Sequence, residues 1–228
     1  MRDALKTLSG RIADLIWPRT CAVEGCGAKV DRPWRHICSS CWRSLPWDDE
    51  RHFEMAVAGR WDGLRAAFAY LPPVDRLILD FKFASKKHLA RDFADAMEIA
   101  ARKWFDVAAI DAVVPVPLHS NRLAKRGYNQ SALIAEDLAL RFDRTFLAGG
   151  ISRVRDTEHQ SRCAGPKRLK NVAGAFDVEH PESVRGRAIL LVDDVSTTGA
   201  TVAECAATLK SAGAYKVFVL IAARTLAD

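Results

Sequence analysis

Two adjacent carboxylates, Asp193 and Asp194, follow the apolar run Ile189-Leu190-Leu191-Val192 and precede Ser196-Thr197-Thr198-Gly199-Ala200-Thr201. The apolar run reads as a buried strand whose carboxyl end carries the acids, and open α/β sheets bind ligands at that end. The Ser196–Thr201 loop leads straight into a helical pattern, so free N–H groups and the helix dipole converge on one spot. Such a spot binds phosphate, with the hydroxyls of Thr197, Thr198 and Thr201 as further donors. Gly199 lets the backbone come close without a Cβ in the way. The two carboxylates can accept hydrogen bonds from vicinal hydroxyls. A phosphate cradle beside a diol acceptor describes a ribose 5-phosphate. A helix cap explains a Ser/Thr cluster, and a turn explains a strand-end aspartate. Neither explains two acids, three threonines and a glycine in one turn. The magnesium-binding strand of a P-loop nucleotidase also ends in Asp-Asp, but it requires a Gly-x4-Gly-Lys-Ser/Thr loop that this sequence lacks.

A second group of residues suits a more highly charged anion. Val114-Pro115-Val116-Pro117-Leu118 leaves a strand and is followed by Arg122, Lys125, Arg126, Gly127, Tyr128, Asn129 and Gln130. Two prolines stiffen the exit while three cations gather near a glycine turn, an arrangement that suits pyrophosphate. A solvated basic helix start is the other reading. Residues 115–171 hold 11 basic and 5 acidic side chains, so one segment matches the whole net charge of +6. A localised anion site follows, for a phosphorylated small molecule or for a nucleic-acid backbone. The stretch Arg153-Val154-Arg155-Asp156-Thr157-Glu158-His159-Gln160, continuing through Gly165, Lys167 and Arg168 to Asn171 and Gly174-Ala175-Phe176, is polar and basic between apolar stretches. It reads as a mobile flap over an anionic substrate or as an exposed β-ribbon, with Arg153 and Gln160 as candidate flap residues. Lys82, in Asp-Phe-Lys-Phe, could reach a phosphate, and an exposed strand-edge lysine explains it equally well.

Four of the six cysteines, Cys21, Cys26, Cys38 and Cys41, form two pairs, while Cys163 and Cys205 stand alone. With no clean export signal, paired knuckles read as a metal site before they read as disulfides. Four thiolates complete the closed tetrahedral shell of structural Zn²⁺ and leave no open position for catalysis. Gly25 and Gly27 flank Cys26 and give the knuckle backbone freedom. A redox pair at Cys38/Cys41 and buried free thiols are the alternatives.

The elements that must carry these residues are legible in outline. Leu5, Leu8, Ile12, Leu15 and Ile16 place a helix over 3–17, ended by Pro18. The cysteine module runs to about Pro46, with Trp34, Trp42 and Trp47 expected to cover its small core. Polar residues 48–60 read as a junction, which divides the chain into an N-terminal helix and four-cysteine zinc-binding module over 1–56 and a second domain over 57–228. A long helix is predicted over Lys86–Phe105, with Leu89, Phe93, Met97 and Ala100 on its apolar face. From Asp111 on, strands and helices alternate: a strand in 111–117, a helix near Ser131–Phe142, a strand in 187–194, a helix near Thr201–Ala212 and a strand in 215–223. Alternation of this kind gives a mostly parallel sheet with helices on both faces. No stretch reaches the ~18–20 apolar residues of a membrane span, so membrane insertion is not expected and the cytoplasm is the expected location.

The 189–202 segment resembles the PRPP-binding motif of type I phosphoribosyltransferases. In that superfamily two acids hold the ribose hydroxyls and the Thr-Gly loop holds the 5-phosphate. By resemblance these roles fall on Asp193 and Asp194, which are also the candidate catalytic residues, and on Ser196, Thr197, Thr198, Gly199, Ala200 and Thr201. The Cys knuckles, Pro-Val-Pro-Leu with Arg-Gly-Tyr-Asn-Gln, the Arg153…Asn171 ribbon and the Asp-Asp loop together resemble the ComF/GntX family over nearly the whole chain. The first knuckle departs from that pattern, with four intervening residues where the family commonly has two. The resemblance implies an α/β, type I phosphoribosyltransferase-like fold with a small N-terminal zinc-ribbon-like module built on four cysteines. It implies PRPP and Mg²⁺ as ligands and a link to DNA uptake or natural transformation. It also implies transfer of a phosphoribosyl group to a nitrogen nucleophile, with pyrophosphate leaving C1 near Arg122, Lys125 and Arg126. A different class of function stays open: a non-catalytic PRPP sensor, or a protein that engages single-stranded DNA or DNA-uptake machinery proteins. A homodimer stays open as well.

Overall fold

Alternate residues of four parallel strands point to one side of a sheet and bury against a single helix, and this layering fixes where the carboxyl ends of the strands lie. In the computed structural model, residues 19–31, 35–48, 60–156 and 172–226 are described. The expected helix over 3–17, Trp34, most of the 48–60 junction, Gln160 and Cys163 lie outside them. The chain forms two units, Met1–Leu45 and Pro46–Asp228.

The first unit is built on short-range turns. An antiparallel bridge joins Thr20 and Lys29, Cys21 N–H donates to Ala28 at 2.8 Å, and Ala22 N–H donates to His36 at 2.7 Å. Helix α1 (Ser39–Ser44) begins directly after Cys38. Ile37, Trp42 and Leu45 bury around the cysteines. Trp47 was expected in this small core, but it belongs to the second unit. Its ring lies 4.7 Å from that of Phe68, and the two residues form a β-bridge.

The second unit contains strand β1 (Gly63–Ala69), helix α2 (Val74–Phe83), helix α3 (Ala90–Trp104) and strand β2 (Ala112–Pro115). Helices α4 (Ser120–Arg126) and α5 (Gln130–Phe142) follow, then the short strands β3 (Thr145–Phe146), β4 (Ser152–Arg153) and β5 (Phe176–Asp177). Strand β6 (Ala188–Ser196), helix α6 (Ala200–Ser211) and strand β7 (Lys216–Arg224) complete it. The main sheet has the order β1-β7-β6-β2-β3, with every pairing parallel. β4 and β5 form a separate antiparallel ribbon.

Strand β6 lies inside the sheet and is apolar over its first five residues, as a strand covered on both faces must be. Ile189, Leu191, Val217, Val219, Ile221, Leu64 and Val114 share one core with Val202, Cys205, Ala206 and Leu209 of α6. The strand residues of opposite parity turn the other way, where α3 packs on β1 and β7 and α5 on β2 and β6. Helices therefore cover both faces.

The helix predicted over Lys86–Phe105 is a 3₁₀ turn at Lys87–Leu89 followed by α3, because Ser85 adopts a positive φ and Lys86 is not helical. Strand β1 and helix α2 have no counterpart in the sequence reading. β1 is alanine-rich and has no β-branched residue, so pairing with β7 decides its conformation rather than propensity. The spacing of Val74, Leu77, Ile78 and Phe81, all buried, does carry a helical signal for α2.

Candidate functional site

Asp193 and Asp194 occupy positions six and seven of β6, where the strand passes the end of β2, and both are buried. Ser131, in the first turn of α5, donates from Oγ to Asp193 Oδ1 at 3.0 Å. The same oxygen accepts from the Asp194 backbone N–H at 2.9 Å. Asp194 is paired with Lys82 of α2, Nζ to Oδ1, at 2.9 Å. Burial, and then repulsion from the neighbouring Asp194 carboxylate, push the Asp193 carboxyl up to about 7. The two acids stand side by side with one ammonium, that of Lys82, on Asp194. Chemically, such a pair can accept from the hydroxyls of a diol or hold a divalent cation.

Beyond the acids the strand runs into the turn that heads α6. Gly199 sits at the N-cap with φ +77°, a left-handed conformation that a β-branched side chain resists. The N-cap glycine has no side chain to offer α6, and Thr198 Oγ1 accepts from the Ala200 N–H at 3.4 Å. Ser196 is buried and is fixed through its carbonyl, which accepts from Thr225 N–H at 3.0 Å. Thr197 is exposed and Thr198 and Thr201 are half-buried, so the hydroxyls of the loop gather where α6 begins. The dipole and the first N–H groups of this twelve-residue helix act at the same place.

Arg122, Lys125 and Arg126 lie on α4, whose last residues turn through Gly127 at φ +78°. With Lys82, Phe83 and Ser85 they line an open cleft of about 240 Å³. Arg126 donates to Gln130 Oε1 at 2.7 Å, and its guanidinium stands 5.1 Å from the centre of the Phe83 ring. Burial pulls the Arg126 pKa down, while Asp194 pulls it back up, which places this guanidinium within the field of the acid pair. Arg122 lies 3.8 Å from Asp156, which also accepts from Asn121 Nδ2 at 3.0 Å. Arg153, on β4, packs its guanidinium 5.4 Å from the Phe176 ring centre. Its pKa is lowered by burial and by Arg122, and raised by Asp156 and Asp193. Arg153 therefore lies in the same electrostatic neighbourhood, half-buried on the β4–β5 ribbon.

Of the two readings of Lys82, a phosphate contact and an exposed strand-edge lysine, the structure overturns the second. It is not an exposed strand-edge residue: it stands in the last turn of α2, its side chain is 19% exposed, and it reaches Asp194. Tyr128 fixes this end of α2 by donating from its hydroxyl to the Phe81 carbonyl, and its ring faces Phe81. Ser131 was also missed. It lies 62 residues from Asp193, and no local pattern joins the two.

In the first unit the sulfurs of Cys21, Cys26, Cys38 and Cys41 lie within 4.8 Å of one another, which can hold a metal ion. Cys38 N–H donates to Cys21 Sγ at 3.4 Å, and the Cys26 and Cys38 sulfurs are 3.8 Å apart. The backbone N–H of Cys41 lowers the Cys38 pKa, whereas burial and the neighbouring sulfurs push Cys41 well up. Four thiolates cannot all form at this distance without a cation, and a four-sulfur shell fits structural zinc. Gly25 and Gly27 adopt φ of +76° and +62° around Cys26, as the knuckle requires.

A parallel sheet with an acid pair at the end of an inner strand, a left-handed glycine opening the next helix, and a cysteine module ahead of it in sequence define a type I phosphoribosyltransferase-like protein. The relatives place it more narrowly. The chain is 36% identical over 169 residues to the DNA utilization protein YhgH of Salmonella typhi, covering 73% of this chain and 74% of that one. It is 29% identical over 199 residues to Competence protein F of Haemophilus influenzae, covering 85% and 80%. The chain belongs to the ComF/GntX family. No family model matches it. Among solved structures, the allosteric regulatory enzyme of purine biosynthesis is 20% identical with a TM-score of 0.41, covering 63% of this chain and 30% of that one. Among the described residues no helix is long and apolar enough to cross a membrane.

Proposed function

We propose that the second unit binds PRPP and transfers its phosphoribosyl group to a nitrogen nucleophile, releasing pyrophosphate. The observation that carries this reading is the Lys82–Asp194 contact of 2.9 Å, which supports taking the acid pair and the four-cation cleft as parts of one site. Asp193 and Asp194 would accept from the ribose hydroxyls, with Ser131 holding Asp193 in place. The turn Ser196–Thr201 would take the 5-phosphate on the N–H groups and hydroxyls at the head of α6. Arg122, Lys125, Arg126 and Lys82 would receive the pyrophosphate and stabilise the charge that grows on it as the C1 bond breaks. The acid pair also fits Mg²⁺ arriving with PRPP, which would neutralise the leaving group. Arg153 stands where it could reach the same ligand, and Gln160 is carried in this reading as a flap residue. In the first unit Zn²⁺ would hold the two knuckles together. The relatives named for competence and DNA utilization support a role alongside DNA uptake, and the reading puts that role in the cytoplasm.

Isothermal titration with PRPP and Mg²⁺ tests the site, and pyrophosphate release in a screen of nucleobases and amines tests the chemistry. Binding with release upon addition of one acceptor is the expected result. PRPP binding without turnover by any acceptor selects the sensor reading. No binding at millimolar PRPP overturns the proposal.

A further inference from the structure

Lys82 faces two claims on one charge. Its ammonium lies 2.9 Å from Asp194 Oδ1, and the same side chain lines the cleft with Arg122, Lys125 and Arg126. No carboxylate stands among the cleft-lining residues, and Arg126 donates to the neutral Gln130 amide. The backbone beneath Lys82 is held: Phe81 is fully buried, stacks on Phe93 at 5.5 Å and accepts from the Tyr128 hydroxyl, while Arg126 stands over Phe83. What can move is the side chain itself, a point charge on a flexible four-carbon stem.

We infer that Lys82 is an exchangeable cation, which neutralises Asp194 in the free protein and passes to the pyrophosphate of the ligand, leaving Asp194 open to the ribose hydroxyls. The inference rests on the phosphoribosyl reading of the site and adds a coupling between its two halves. Asp194 offers Lys82 a single negative charge, whereas a pyrophosphate in the cleft offers several, so Coulomb attraction favours the exchange once the cleft is filled. With the cleft empty, departure of Lys82 would leave the Asp193–Asp194 pair buried with less compensation, and the contact persists. The ribose hydroxyls meet an occupied carboxylate until the pyrophosphate has drawn the lysine away. Either ligand half therefore strengthens binding of the other, since coupling between two sites is reciprocal.

The test uses the full chain and two probes, inorganic pyrophosphate with Mg²⁺ and ribose 5-phosphate, titrated singly and together. In the unaltered protein, saturating pyrophosphate should tighten ribose 5-phosphate binding by about fivefold or more. In Lys82→Met, pyrophosphate should bind about tenfold or more weakly. Ribose 5-phosphate should then bind no worse than to the unaltered protein alone, and pyrophosphate should no longer affect it. Lys82→Arg, which keeps the charge, should keep the coupling. A lysine that only clamps α2 to β6 gives another result: Lys82→Met weakens ribose 5-phosphate as well. That outcome overturns the inference, as does binding of both probes without coupling in the unaltered protein, or loss of coupling in Lys82→Arg. Binding of neither probe by the unaltered protein overturns the phosphoribosyl reading and the exchange with it.

Discussion

Replacing Asp193 by Asn should make the sheet domain more stable, and increasingly so as the pH rises. The Asp193 carboxyl sits fully inside the protein beside a second carboxylate, and its pKa moves from 3.8 to about 7. A group whose folded pKa lies above its unfolded value, and whose charged form is the deprotonated one, keeps its proton longer in the native state. Stability therefore falls as the pH rises above the unfolded value, and the whole loss is reached above the folded value. One pKa unit is worth about 1.4 kcal/mol, so the ionised Asp193 opposes folding by on the order of 4 kcal/mol near pH 8. The opposition near pH 5 is only on the order of 2 kcal/mol, because the native carboxyl is still mostly protonated there. The Oδ1 of an asparagine at this position can go on accepting from Ser131 Oγ and the Asp194 N–H, so both hydrogen bonds survive the change. Urea unfolding followed by circular dichroism, for both proteins at about pH 5 and pH 8, measures the difference of differences. The Asp193→Asn variant should gain on the order of 2 kcal/mol more at the higher pH. A gain that does not change with pH, or a loss that grows with it, would refute the account of a repelled, desolvated carboxylate. PRPP binding should weaken in the same variant, since an amide loses charge-assisted bonds of ~1.5–3 kcal/mol each.

Other perturbations probe other parts of the molecule. Cys38→Ser combined with Cys41→Ser should remove the metal found by elemental analysis, whereas Cys205→Ser, buried under the sheet, should leave it unchanged. Gly199→Val places a β-branched residue at φ +77°, at a cost of about 1–2 kcal/mol, and should abolish the PRPP-induced rise in melting temperature. A ligand-induced rise equal to that of the unaltered protein would show that the turn does not hold the phosphate. Arg224 donates to Asp48 through Nε and Nη2, both at 2.8 Å, with side-chain exposures of 1% and 6%. Asp48→Ala, which takes both of these charge-assisted bonds away from a buried guanidinium, should lower stability by about 3–5 kcal/mol, measured as a shift in the urea midpoint.

The parts of the site that were legible are those carried by one continuous segment. The apolar run, the acids and the turn of 189–201 follow one another in the chain, so strand, carboxylates and helix head could be placed from type and order alone. The four cysteines announced themselves by number and spacing, and the cations of α4 by density of charge. What escaped were contacts made across the fold. Ser131 meets Asp193, Lys82 meets Asp194 and Asp48 meets Arg224 only because strands and helices bring distant residues together, and no local periodicity encodes such meetings. Strand β1 was lost for the opposite reason: its alanines have weak strand preference, and its partner β7 imposes the conformation. Trp47 went to the wrong core because a tryptophan near a cysteine module and one on a sheet edge look alike in sequence.

The order of the strands also governs how the protein can be made. β7 lies between β1 and β6, yet it follows every other strand of the sheet in sequence. During synthesis β1 emerges roughly 150 residues before the strand it pairs with in the sheet, and β6 waits with one flank bare until β7 appears. A chain that ends before residue 216 thus carries two unfilled hydrogen-bonding edges, the kind of surface that invites pairing with the wrong neighbour. Closure of the sheet is a late, long-range event, and folding should be slow for a domain of this size. A released chain truncated before residue 216 should be cut readily by protease within β1, and one that continues through β7 should be protected.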